Sequence, residues 1–131
     1  MIALLLLVAA APAEQPQWNC EDPIAQQEMN YCAHQEYLAA DESLNAHWEE
    51  TAAVMRARDE AGYGAEDGRP GYFETMLEAQ RAWLKYRDAQ CRSEGYLFRG
   101  GSMEPLMVST CKTHLTKLRT QELRELIEAG N

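Results

Sequence analysis

The chain reads as an all-α protein, a small bundle of three long antiparallel helices with two disulfides. Three observations predict this. Apolar residues recur at spacings of three, four and seven over long stretches, the mark of amphipathic helices. No stretch alternates with a period of two, and valine and isoleucine, the usual material of strands, are scarce. Two glycine-rich loops, Gly62 to Gly71 and Gly95 to Ser102, cut the pattern into blocks.

Ahead of the helices, Ile2 to Ala11 is apolar throughout. At about ten residues it is half of what a membrane-spanning helix needs. Ala11-Pro12-Ala13 puts small residues at the −3 and −1 positions of a cleavage site, so 1–13 is expected to be a signal peptide and 14–131 a single helical domain. The departure from pattern is the lack of any Lys or Arg before the apolar run. A lipid anchor is not expected, because the first cysteine, Cys20, lies well past that run. The expectation is a periplasmic or secreted chain with no membrane insertion once the leader is cut.

The first block, about Gln26 to Ala61, carries Tyr31, Tyr37, Leu38, Leu44, Trp48, Ala52 and Met55 at helical spacing. It is long for a globular helix, and a bend near Asp41-Glu42-Ser43 is compatible with it. The second, about Tyr72 to Leu97, repeats the pattern with Phe73, Met76, Leu77, Ala79, Trp83, Leu84 and Tyr86. The third, about Met103 to Ala129, presents Leu106, Val108, Leu115, Leu118, Leu123, Leu126 and Ile127. Ser102 is placed to cap it and Pro105 is tolerated in its first turn.

Cys20, Cys32, Cys91 and Cys111 form an even set behind an export leader, which points to disulfides. A helix beginning at Pro23 would put Cys32 about 13 Å up its axis, and one beginning at Gln26 only about 9 Å up. A disulfide needs its Cα atoms roughly 4.4–6.8 Å apart. A Cys20–Cys32 bond therefore predicts the late start. Cys91 and Cys111 flank the second glycine loop, where a bond would pin a helical hairpin. Four cysteines allow three connectivities; the local one fits this layout.

The net charge of −9 is unevenly placed. Before Arg56 there is no Lys or Arg, but there are nine carboxylates: Glu14, Glu21, Asp22, Glu28, Glu36, Asp41, Glu42, Glu49 and Glu50. From Arg56 onward acids and bases balance. Such a field repels nucleic acid and favours encounter with cationic partners. The plain reading is a solvated acidic face partly paired with Arg81, Lys85, Arg87, Lys117 or Arg119; the functional one is a face that docks a basic protein.

Catalytic patterns are missing. His34, His47 and His114 belong to no HExxH or Glu-x-x-His, CxxC is absent, and the serines lack a nucleophile-elbow context. The chain is not expected to be an enzyme, nor to need a metal or other cofactor. Two clusters stand out. In Ala79-Gln80-Arg81-Ala82-Trp83-Leu84-Lys85-Tyr86-Arg87-Asp88, Gln80, Trp83 and Arg87 share one helix side, as core with arginine pairing at its edge or as a binding anchor. Arg99-Gly100-Gly101-Ser102-Met103-Glu104-Pro105 reads as a helix-entry loop or as a recognition loop.

These clusters combine with Cys20, Gln27-Glu28-Met29-Asn30-Tyr31-Cys32-Ala33, Ala40-Asp41 and Leu44-Asn45. They continue through Cys91, Cys111, Leu115-Thr116, Arg119 and Glu122-Leu123. In that order the set resembles the lysozyme inhibitor LprI-like N-terminal domain family. The resemblance implies a small, secreted, disulfide-linked helical domain of bacterial envelopes, in a family named after a member that inhibits lysozyme. Ala25 departs from the capping threonine frequent there, weakening a capping box with Glu28.

The expected function is therefore to bind a protein partner, with a cationic lysozyme as the first candidate, without catalysis and as a monomer. Asp41, Glu42, Glu49 and Glu50 would steer the approach, and Arg99, Ser102 and Glu104 would plug a cleft. Alternatives are an envelope interaction module with another partner and a metal- or ligand-binding bundle.

Overall fold

Helix α1 spans Gln26–Glu60, α2 spans Tyr72–Gly95 and α3 spans Glu104–Glu128; a single 3-10 turn, Tyr96–Phe98, follows α2. The structure, a computed structural model, describes residues 17–64 and 66–129. The leader expected over 1–13, with its cleavage site, falls outside the described residues. Among the described residues there is no strand, and no helix is long and apolar enough to cross a membrane.

Successive helices are antiparallel. Side-chain bonds from Gln80 to Arg119 and from Arg87 to Thr116, with the Cys91–Cys111 bridge, pair rising numbers on α2 with falling numbers on α3. The first and third helices, α1 and α3, therefore run parallel and pack directly on each other, as Asn30–Ser102, Thr51–Leu123 and Arg58–Ile127 bonds record level by level.

α1 is one uninterrupted helix of 35 residues, passing through Asp41-Glu42-Ser43 without a break. It begins at Gln26, the late start that a Cys20–Cys32 bond requires, and those Cα atoms lie 5.5 Å apart. Its N-cap, Ala25, offers no side-chain bond. The Glu28 carboxylate reaches one residue past the N-cap and accepts the Ile24 N–H at 3.0 Å, in place of the capping-box bond to Ala25.

The loop after α1 feeds α2 through a cap supplied from another helix. Asp59, in the last turn of α1, accepts the backbone N–H of Tyr72 at 2.7 Å and of Phe73 at 3.1 Å. Those are two of the donors that a helix start leaves without intrahelical partners. Gly71, the residue before α2, has no side chain to do the work.

α3 departs from expectation at its start. Ser102 does not cap it: the N-cap is Met103, with no side-chain bond. Glu104 folds back instead and accepts the Gly100 N–H at 2.6 Å, closing the turn from inside the helix. Pro105 sits in the first turn, as expected.

The core holds Leu44, Ala52, Met55, Met76 and Leu123, with Trp48, Phe73 and Trp83 packed against it. Several residues read as apolar facing positions, namely Leu38, Leu84, Tyr86, Leu118 and Leu126, are exposed instead. Their places between helices are taken by small residues: Thr51, Ser109, Thr113, Thr116 and Thr120 are buried. Threonine can do this because its hydroxyl returns to the carbonyl four residues back, as Thr51 does to His47, Thr113 to Ser109 and Thr120 to Thr116. Small side chains let the helices approach closely. At Gly95, buried at the end of α2, an added Cβ would stand 2.5 Å from Val108 Cγ2 on α3.

Both disulfides take the local pairing, Cys20–Cys32 and Cys91–Cys111. Each is worth about 3 kcal/mol through restriction of the unfolded chain.

Candidate functional site

The acidic residues picked out on α1 separate into two kinds. Asp41 turns inward and accepts from Arg87 Nη1 at 3.0 Å. Glu42, Glu49 and Glu50 are exposed, and among the described residues none lies within ion-pair distance of a cation. Their charge stays free to act at long range.

Arg87 is the centre of the polar seam that holds Asp41. Its side chain is 6% exposed. Nη1 also donates to Thr116 Oγ1 at 3.3 Å, and Nε donates to Asp88 at 3.0 Å. The guanidinium lies over the rings of Trp83 and Tyr37, 5.1 and 5.3 Å from their centroids. Lys112 reaches Asp88 at 3.8 Å and its Nζ also lies over the Tyr37 ring, 5.2 Å from the centroid. Burial opposes the Arg87 charge, but the bonds to Asp88 and Asp41 outweigh it and hold its pKa above the ordinary value. Burial likewise raises the Tyr37 phenol; Arg87 opposes that rise, and Asp41 and Asp88 reinforce it. So the Gln80-Trp83-Arg87 side is core with arginine pairing at its edge.

The second glycine loop lies at the end of the bundle where α1 begins. Gly100 takes φ +76°, a conformation costly for any residue with a Cβ. Two backbone bonds, Gly101 N–H to Phe98 O at 2.8 Å and Glu104 N–H to Gly101 O at 3.3 Å, fold the loop tightly. Glu104, half-buried, braces it through Gly100. Ser102 is exposed, and its carbonyl accepts from Asn30 Nδ2 at 2.9 Å, tying loop to α1. Arg99 is exposed, with its guanidinium 4.6 Å over the Tyr96 ring.

Next to these residues stands an apolar edge that sequence reasoning missed. Leu97 is 78% exposed, and Tyr96, Phe98 and Met103 are also exposed. With Arg99, Gly101 and Ser102, three of them (Leu97, Phe98 and Met103) line a shallow depression of about 380 Å³. The available signal was the Leu97-Phe98 pair immediately before Arg-Gly-Gly, where a helix is stopping and large apolar side chains have nothing left to pack on.

The expected steering and plugging residues therefore do not form one cluster. Glu42 and Glu50 lie 12 and 20 positions beyond Asn30, about 18 and 30 Å along α1 from the level of the loop. A larger groove of about 1140 Å³ opens at the opposite end, among Met55, Tyr63, Tyr72, Met76 and Leu126. Among the described residues no group of three His, Cys, Asp or Glu is placed to hold a metal ion.

The geometry defines a small disulfide-linked helical domain with a braced loop, an apolar edge beside it and an acidic face on α1. The chain is a member of the lysozyme inhibitor LprI family, whose model matches residues 19–123. It is 44% identical over 127 residues to Uncharacterized protein R02472 of Rhizobium meliloti (strain 1021), covering 97% of this chain and 91% of that relative. No solved structure matches the chain.

Proposed function

We propose that this chain is exported behind the leader over 1–13 and binds a lysozyme-type hydrolase in the periplasm or outside the cell, blocking it without catalysis. Family membership supports this class of activity, and the observation that supports the contact site is the braced Arg99–Glu104 loop with Leu97 and Phe98 exposed beside it. Leu97 and Phe98 supply the apolar anchor of an interface, Arg99 a cation for a carboxylate in the hydrolase cleft, and Ser102 a polar rim contact. Glu104 acts as a brace and not as a contact. Glu42, Glu49 and Glu50 raise the rate of encounter with a cationic surface, while Asp41 is already committed to Arg87.

The test is lysis of a cell-wall suspension by lysozyme in the presence of the purified protein. The expected result is slower lysis at micromolar excess in low salt, weakening as salt rises because steering between exposed charges is screened. Undiminished lysis under those conditions contradicts the proposal. The larger groove beside Tyr63 and Tyr72 supports a second reading, an interaction module with a different partner; binding of another envelope protein that survives Leu97→Asp would favour it.

A further inference from the structure

We propose that Cys20–Cys32 is the bond a dithiol reductant opens first, and that opening it loosens the Arg99–Glu104 loop. The chemistry stands on its own; its consequence for binding rests on the contact role proposed above.

The two disulfides differ in access. Cys20 is exposed, on a strap outside the bundle. Cys91 is fully buried and Cys111 is 7% exposed, so the second bond is enclosed between α2 and α3. Thiol–disulfide exchange requires the attacking thiolate to reach a sulfur, so access sets the order of reduction.

The strap, residues 17–25, is held to α1 by three contacts besides the first helical backbone bond, from Met29 N–H to Ala25 O at 2.9 Å. Trp18 meets the Tyr31 ring edge-on at 5.0 Å, Cys20 is bonded to Cys32, and the Ile24 N–H is held by Glu28. Only one of these is covalent. Because Ala25 provides no side-chain cap, the first turn of α1 depends on the strap staying in place.

The next residue, Asn30 at the start of the second turn, carries the bond to the loop. Gln26 Nε2 donates to Asn30 Oδ1 at 2.8 Å, which orients the Asn30 amide so that Nδ2 faces the Ser102 carbonyl. Fraying of Gln26 to Cys32 breaks both bonds together. Cys91–Cys111 and the Glu104 brace remain, so the bundle persists while the loop loses its tie to α1.

The exchange balances as follows. A reductant thiolate attacks Cys20 Sγ, the Cys20–Cys32 bond breaks, and Cys32 leaves as a thiolate that takes up a proton. The second thiol of the reductant then attacks the mixed disulfide and releases Cys20 as a thiol. Two electrons pass to the protein, and the reductant leaves as its own disulfide.

The experiment exposes the oxidised full chain to a dithiothreitol series for one short fixed time, quenches by alkylation before equilibrium, and follows with peptide mass mapping and amide hydrogen exchange. The expected result is alkylation of Cys20 and Cys32 at about ten-fold lower dithiothreitol than Cys91 and Cys111, with helical circular dichroism retained. Exchange should then quicken both at 26–32 and at 99–103. Opening of Cys91–Cys111 first, or of both bonds together, overturns the order. Unchanged exchange at 99–103 with Cys20–Cys32 open overturns the coupling. The Cys20→Ser/Cys32→Ser double variant should show the same faster exchange at 99–103 without reductant; if it does not fold, the strap is no separable element and the proposal fails. None of these readouts involves lysozyme, so failure of inhibition leaves the redox order standing, and failure of the order leaves inhibition standing.

Discussion

Arg87 on α2 and Asp41 on α1 are joined across the bundle by a 3.0 Å hydrogen-bonded ion pair that is nearly enclosed on the arginine side. A buried charge is stabilising only while its partners remain, and removing one partner leaves the other's desolvation uncompensated. Asp41→Asn is expected to lower stability by about 1–2 kcal/mol, because Asp88 and Thr116 still hold the guanidinium. Arg87→Ala is expected to cost about 3 kcal/mol, since it also empties the space between Trp83 and Tyr37. Urea unfolding of both variants checks the order; equal stability of Arg87→Ala and the parent would contradict it.

The seam also gives a pH dependence. The Tyr37 pKa is raised above its ordinary 10.0 in the folded chain, chiefly by burial. A raised folded pKa contributes stability that is complete below the unfolded value and lost as pH rises through the folded one. Stability of the parent should therefore fall more steeply above about pH 10 than that of Tyr37→Phe, as followed by urea midpoints across an alkaline series. Parallel curves would show that Tyr37 is not shifted.

Gly95 tests how closely α2 and α3 approach. Its missing Cβ would lie 2.5 Å from Val108 Cγ2, so Gly95→Ala forces one helix to shift. The expected cost is about 1–3 kcal/mol by overpacking. Val108→Ala should relieve much of it, so the double variant is more stable than the two single effects add up to.

Asp59 caps α2 from outside it, so Asp59→Ala should act at a distance in sequence. The expected effects are a loss of about 1 kcal/mol and faster amide exchange at Tyr72 and Phe73. Unchanged exchange at those two amides would mean that the cap has no role in solution.

The helices were legible in the sequence because their breaks are written in glycine, and because Cys20–Cys32 required a start near Gln26. Which side chains fill the core was less legible. Thr113, Thr116 and Thr120 count as polar by composition, yet the hydroxyls of Thr113 and Thr120 find a carbonyl four residues back and that of Thr116 accepts from Arg87, so all three suit a close interface. Leu118 and Leu126 count as apolar, yet they lie outside it. Ser102 misled for a related reason: serine before a helix is a good cap in isolation, but Glu104 reaches Gly100 from within the helix and the serine carbonyl is drawn to Asn30. The candidate site was half visible. Arg99 and Ser102 were found from the glycine pattern, whereas Leu97 and Phe98 emerge only once nothing is seen packed over them.

The proposed function requires direct contact between the loop end of the bundle and a lysozyme. Titration calorimetry of the oxidised full chain with purified lysozyme, alongside Leu97→Asp, measures that contact without relying on an activity assay. The account expects saturable one-to-one binding by the parent, weaker as salt is raised, and loss of at least ten-fold in affinity for Leu97→Asp, about the value of one buried apolar anchor. No heat of binding by the parent, or equal binding by Leu97→Asp, would contradict it.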